Sequence, residues 1–151
     1  TPFLVLLEGV EDPFNLGYII RTLYSAGCDG LILPSHDWTS AESTIAKSSA
    51  GAFEYLNIVM SDDLPQLVKD IKKQGIITYA AMRKDAINYL EADYRKPCLL
   101  AIGGEMRGLS SAVRNEIEQN IYIPYANDFR NALNAASAAA VLSFEVYRQR
   151  Q

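Results

Sequence analysis

The chain has 151 residues, 49% of them hydrophobic and 21% charged, the mixture of an ordinary soluble domain with room for one sizeable core. Its 14 Lys and Arg against 18 Asp and Glu leave a net charge of −4, so no global basic field announces a nucleic-acid partner. Any RNA contact therefore falls to a local patch or to another domain, and no apolar run approaches the roughly 20 residues that cross a bilayer.

Phe3 to Leu7 is apolar on both faces and reads as a buried strand; it ends at Glu8, too short for a secretory signal. Glu8 to Phe14 is a turn-rich loop with Gly9, Asp12 and Pro13. A helix is expected from about Asn15 to Ala26, stopped at Gly27. Leu31-Ile32-Leu33 forms a second strand closed by Pro34, and the loop behind it holds the lone His36 and Trp38. A helix through Ile45 ends near Gly51, and Tyr55 to Met60 gives a third strand. Asp62 or Asp63 caps a helix to Gln74, with Leu64, Leu67, Val68 and Ile71 on one face. Ile76 to Ala81 is a strand, and the polar stretch from Arg83 to Arg95 reads as a loop with a short turn around Asn88 to Ala92. Cys98 to Ile102 is a further strand running into Gly103-Gly104-Glu105. Ser110 or Ser111 starts a helix to about Glu118. Ile121-Tyr122-Ile123 is stopped by Pro124, and an alanine-rich helix follows to the C-terminus.

Strands with no polar face, alternating with helices, predict a single α/β domain over 1–151. Its sheet should be largely parallel, with helices on both faces and a ligand at the carboxyl ends of the strands. Cys28 and Cys98 lie far apart in apolar surroundings, as buried reduced thiols of a cytoplasmic protein would. The chain starts at Thr1 rather than Met, which leaves room for a preceding N-terminal RNA-binding domain.

Three polar clusters follow predicted strands. In the first, Asn15 either caps the helix or serves a ligand, and Arg21 interrupts the apolar face of Ile19, Ile20 and Leu23. The second, Ile102 to Ser110, has glycines that let backbone amides approach a ligand and Glu105 to accept from a hydroxyl or amine. It lacks the spacing of a P-loop and of a dinucleotide fingerprint. The third runs from Ile123-Pro124 to Asn134, a polar amide at the start of the last helix.

Together the three clusters resemble the SpoU branch of the SPOUT RNA methyltransferases, over nearly the whole chain from Leu7 to Arg150. The first family motif is matched by Asn15, Gly17 and Ile20-Arg21-Thr22. The second, Gly-x-Glu-x-x-Gly-Leu-Ser, is matched by Gly103, Glu105, Gly108, Leu109 and Ser110. The third is matched by Ile123-Pro124 and Leu133-Asn134, and Ser49-Ala50-Gly51-Ala52 also looks like a family segment. One departure stands out. The serine usual before Leu-Asn is Ala132 here, and the loop before it lacks the customary glycine. Either Asn131 or Ser137 supplies the hydroxyl's role, or the branch dispenses with it, or the chain is a weakened paralogue.

The resemblance implies a C-terminal trefoil knot binding S-adenosylmethionine through Gly103, Gly104, Glu105, Ile123, Pro124 and Leu133. It implies a homodimer in which Arg21 of one subunit completes a site near the other's cofactor. The implied reaction is methyl transfer to a ribose 2′-hydroxyl of rRNA or tRNA, with neither DNA nor a membrane as partner and no metal, since the sulfonium is the electrophile. Asn15, Arg21, Glu105 and Asn134 are the candidate catalytic set, and Arg21, Arg107 and Arg130 the candidate RNA contacts. A guanidinium stays charged, so Arg21 suits phosphate binding and alkoxide stabilisation better than proton abstraction. Asn15 would orient Arg21 or the ribose, while Glu105 and Asn134 would fix the motif loops. The competing readings are a non-catalytic module that binds RNA or cofactor, and a nucleotide-dependent oxidoreductase.

Overall fold

The computed structural model describes residues 1–104 and 107–151. Its strands are β1 (Phe3–Glu8), β2 (Gly30–Pro34), β3 (Ile58–Ser61), β4 (Ile77–Ala81), β5 (Ala86–Asn88), β6 (Cys98–Gly103) and β7 (Gln119–Tyr122). Between and after them run α1 (Pro13–Ser25), α2 (Glu42–Ser48), α3 (Leu64–Lys73), α4 (Ser111–Arg114) and α5 (Ala135–Gln149). All seven strands form one sheet in the order β3-β2-β1-β6-β4-β7-β5, and every pairing is parallel. The expected helix-covered parallel sheet is the one observed.

The missing polar face of the strands has a direct cause. Along β1 and β6, Val5, Leu7, Leu100 and Ile102 enter one core, with Leu16, Ile19, Ile20 and Leu23 of α1 and Ala139, Leu142 and Val146 of α5. The alternate residues Leu6, Leu99 and Ala101 enter a second core with Leu64, Val68 and Ile71 of α3. Each fully buried Leu, Ile or Val contributes about 1.5–3 kcal/mol, so these central strands hold the two layers together.

Several boundaries differ from expectation for local reasons. The cap of α1 is Asp12, whose carboxylate accepts from the Phe14 N–H at 3.1 Å, and Pro13 opens the helix where a missing N–H costs nothing. Asn15 thus lies inside the first turn and does not cap. The third strand begins at Ile58, because Gly51 at φ 84 turns the chain into a short helical turn over 52–54. The polar 83–95 stretch contains β5, a three-residue edge strand that leaves no periodic signal. Helix α4 stops after one turn, and the Glu118 N–H is drawn back to the sheet by Thr78 Oγ1 at 3.0 Å.

Two sequence motifs meet in the packing. A Cβ on Gly17 would stand 2.7 Å from Ser48 Cβ and 3.0 Å from the Ser49 backbone nitrogen, so α1 and α2 cross this closely only with glycine there. Cys28 and Cys98 are free and buried, as expected. Burial pushes the Cys28 thiol up to about 12 and that of Cys98 to about 11, the latter against the opposing pull of Arg150. Neither is a thiolate at neutral pH. Among the described residues no helix is long and apolar enough to cross a membrane.

Candidate functional site at the strand ends

At the carboxyl ends of β4, β6 and β7 lies a cavity of about 570 Å³, within the ordinary range for small-ligand sites. Ala81 to Arg83 close one side, Ile102 to Gly104 with Gly108 and Leu109 a second, and the chain from Ile121 to Ala138 the rest. Its surface is mainly apolar, with the guanidinium-bearing Arg83 and Arg130 among the lining residues.

The glycine loop is built by backbone approach. The Gly104 N–H donates to the Glu8 carbonyl at 2.7 Å, and a Cβ on Gly104 would run into the Gly9 carbonyl and stand 2.6 Å from the Val10 nitrogen. A Cβ on Gly103 would lie 2.7 Å from Gly108 Cα and 2.9 Å from the Leu109 nitrogen. Glu8 Oε1 accepts from the Ser110 N–H at 2.7 Å, tying the end of β1 to the start of α4, whose cap is Ser110 itself. Loops after β1 and β6 are thereby locked together, and the glycines have a structural cause at each contact.

The third wall is the segment from Ile123 to Asn134, and its shape rests on a residue that sequence reasoning left in a nondescript loop. Arg83 Nη1 donates to the carbonyls of Phe129 at 3.1 Å and Arg130 at 3.3 Å, and Nη2 donates to that of Asn131 at 2.9 Å. Its guanidinium carbon stands 4.4 Å from the centre of the Tyr125 ring, a cation–π contact. Tyr125 Oη accepts from the Leu133 N–H at 2.9 Å and donates to the Asn131 carbonyl at 3.3 Å. The hint in the sequence is an arginine two residues past a buried strand, at the carboxyl end of the sheet where ligands gather. Tyr125 was seen only as part of a polar loop. Beyond this wall lies a second hollow of about 360 Å³, lined by Tyr125 to Phe129 and Leu133.

The expected cofactor residues Gly103, Gly104, Ile123 and Leu133 all line the cavity, while Pro124 is exposed beside it. Glu105 lies outside the described residues. Asn134 caps α5, accepting from the Ser137 N–H at 2.8 Å, and also lines the cavity. Arg130 and Ala132 line it too. Asn15 and Arg21 do not; both stand on α1, Arg21 exposed to solvent. Arg107 is exposed and pairs with Glu11 at 3.9 Å. His36 lies in an exposed loop away from the cavity, with its ring edge-on to Trp38 at 4.5 Å. A single chain thus assembles a ligand cavity but does not bring the first motif to it.

Known proteins share this sequence pattern and fold. Residues 2–144 match the SpoU rRNA Methylase family model. A putative TrmH family tRNA/rRNA methyltransferase of Staphylococcus haemolyticus is 34% identical over 147 residues, which are 97% of this chain and 59% of that protein. The solved SpoU methyltransferase AviRb of Streptomyces viridochromogenes, in complex with the cofactor AdoMet, superposes with a TM-score of 0.86 at 29% identity, over 97% of this chain and 60% of that one. A solved RNA 2′-O ribose methyltransferase gives a TM-score of 0.85 at 26% identity, over 99% of this chain and 57% of that one. The chain therefore spans about three fifths of the length of these relatives. With its family model matched over nearly the full length and its strand-end cavity built from the motif glycines, the chain belongs to the SpoU rRNA methylase family.

Proposed function

We propose that the chain is the catalytic domain of an RNA methyltransferase that moves a methyl group from S-adenosylmethionine to a ribose 2′-hydroxyl of tRNA or rRNA. The observation that carries this reading is the cavity, because four of the six residues expected from the motifs to hold the cofactor line it. Its chemistry suits the group. Apolar walls at Ile102, Leu109, Ile121 and Leu133 accept an adenine face, and Arg83 and Arg130 bring positive charge for a carboxylate. When bound, S-adenosylmethionine supplies an electrophilic methyl on a sulfonium.

The chain's own part is binding and orientation. Gly103, Gly104, Ile123 and Leu133 hold the cofactor, with Glu105 and Asn134 fixing the loops that carry them. Arg21 grips the target phosphate with its two-pronged guanidinium and stabilises charge developing on the 2′-oxygen, and Asn15 orients it. Arg107 and Arg130 complete a small RNA-facing set. The reading includes a C-terminal trefoil knot, supported by the cavity wall that Ile102 to Gly104, Gly108 and Leu109 share with residues between Ile121 and Ala138.

It also includes a homodimer in the cytoplasm, supported by Arg21 standing apart from the cavity of its own chain. Large apolar side chains on the outer sides of α1 and α5 support the same assembly: Phe14, Tyr18, Val141, Phe144 and Tyr147 are all 36% exposed or more. Sedimentation at micromolar concentration should give twice the chain mass; an active monomer would defeat the shared site.

Titration calorimetry with S-adenosylmethionine and with NAD, followed by transfer of labelled methyl to bulk RNA and mapping of 2′-O-methyl positions, tests the function. Cofactor binding with label at ribose is the expected result. Binding without transfer to any RNA selects a non-catalytic paralogue, the reading that Ala132 in the cavity wall favours. Binding of NAD alone overturns both.

A further inference from the structure

We propose that Arg83 and Tyr125 form a latch that holds the 125–134 segment in its cofactor-binding shape. The inference rests on the methyltransferase reading for its ligand, but the latch itself is a feature of the free chain.

Its elements are few and mutually dependent. Residues 123–134 form no helix or strand, so their backbone groups need partners from elsewhere. Three successive carbonyls, of Phe129, Arg130 and Asn131, converge on the Arg83 guanidinium at 2.9 to 3.3 Å. The two terminal nitrogens of the planar fork meet all three at once in a fixed geometry. The Tyr125 ring, 4.4 Å from the guanidinium carbon, supports it from the near end of the same segment. The Tyr125 hydroxyl then closes the far end, accepting from Leu133 and donating to Asn131. Arg83 immediately follows Ala81 and Met82 at the end of β4, so the latch anchors an irregular loop to the sheet. Both latch residues and both latched ends, Arg130 and Leu133, line the cavity.

The arrangement also answers the question raised by Ala132. Among the described residues, Asn131 acts here through its backbone carbonyl, and Ser137 through its N–H to Asn134, rather than by side chain. The hydroxyl present in the loop belongs to Tyr125. With the Leu133 N–H engaged there, Leu133 meets a ligand by its side chain, 38% exposed.

The test compares wild type, Arg83→Ala, Arg83→Lys and Tyr125→Phe by two measurements. Hydrogen exchange at the amides of 129–134, without cofactor, reports the latch; calorimetry with S-adenosylmethionine reports its consequence. Arg83→Ala should exchange at least about tenfold faster at Leu133 and bind the cofactor at least about tenfold more weakly, the loss of one or two net hydrogen bonds. Arg83→Lys should not restore either, because a single ammonium nitrogen cannot stand where both terminal nitrogens of the fork stand and offers no planar face to the Tyr125 ring. Tyr125→Phe keeps the ring and should accelerate Leu133 more than residue 129. Exchange elsewhere in the sheet should stay unchanged in all three, which separates the latch from general unfolding. Unchanged exchange in Arg83→Ala and Tyr125→Phe overturns the latch; faster exchange with wild-type affinity overturns its role in binding. If wild type fails to bind S-adenosylmethionine, the methyltransferase reading falls while the exchange data still decide the latch.

Discussion

Arg21→Ala is expected to slow single-turnover methylation of a cognate RNA by on the order of 10²–10³, the usual cost of losing one transition-state contact, with cofactor affinity unchanged. Arg21 stands exposed on α1, and the hydrogen bond recorded for it is made by its backbone carbonyl, which accepts from Ser25 Oγ at 2.7 Å. Truncating the guanidinium therefore leaves both the helix and the cavity intact, so a lost rate would be a chemical loss rather than a folding one. Arg21→Lys should not rescue, because a point-like ammonium cannot hold phosphate and alkoxide together in one plane. Single-turnover rates, calorimetry and circular dichroism on the same preparations decide this. Full activity in Arg21→Ala would remove the proposed site. A further consequence follows if the arginine acts across subunits. Mixing Arg21→Ala with a variant defective in its cofactor cavity should recover partial activity, since a mixed dimer regains one complete site.

The parallel sheet was legible because burial on both faces writes itself into composition: β1 and β6 have no polar residue to place until Glu8 and Gly103. Helix caps were legible to within one residue at α3 and α4, where adjacent candidates competed and Asp63 and Ser110 are the ones that cap. At α1 the expected cap, Asn15, is displaced by Asp12, with Pro13 behind it at the first helical position. Strand β5 was not legible, because three half-buried residues at a sheet edge carry no period. The motif glycines pointed to the cavity, yet their cause lay in contacts between residues about 95 apart in sequence, such as Gly9 with Gly104, which no local pattern encodes. Arg83 was missed for the same reason. Its hydrogen-bond partners are 46 to 48 residues away and all are backbone carbonyls, so no acidic side chain in the sequence marks the contact.

Gly104→Ala should weaken S-adenosylmethionine binding at least about tenfold and lower stability by roughly 1–3 kcal/mol, the range for overpacking a tight contact. The added carbon would enter the Gly9 carbonyl and approach the Val10 nitrogen at 2.6 Å, and both are backbone atoms that cannot swing aside as a side chain would. Relief requires the loops after β1 and β6 to part, at the cost of the 2.7 Å bond from the Gly104 N–H to Glu8. Because Gly103 and Gly104 line the cavity, that movement reshapes the ligand site directly. Stability loss alone does not establish the point, and Gly75→Ala supplies the control. Gly75 sits at φ 80 with open space around it, so alanine there is strained by about 1–2 kcal/mol without touching the cavity. Thermal unfolding should show both variants destabilised, by about 2–4 °C for each kcal/mol in a chain of this size. Calorimetry below the transition should show only Gly104→Ala impaired in binding. Wild-type affinity in Gly104→Ala would mean that the glycine loop does not shape the cofactor site, whatever its role in holding the strands.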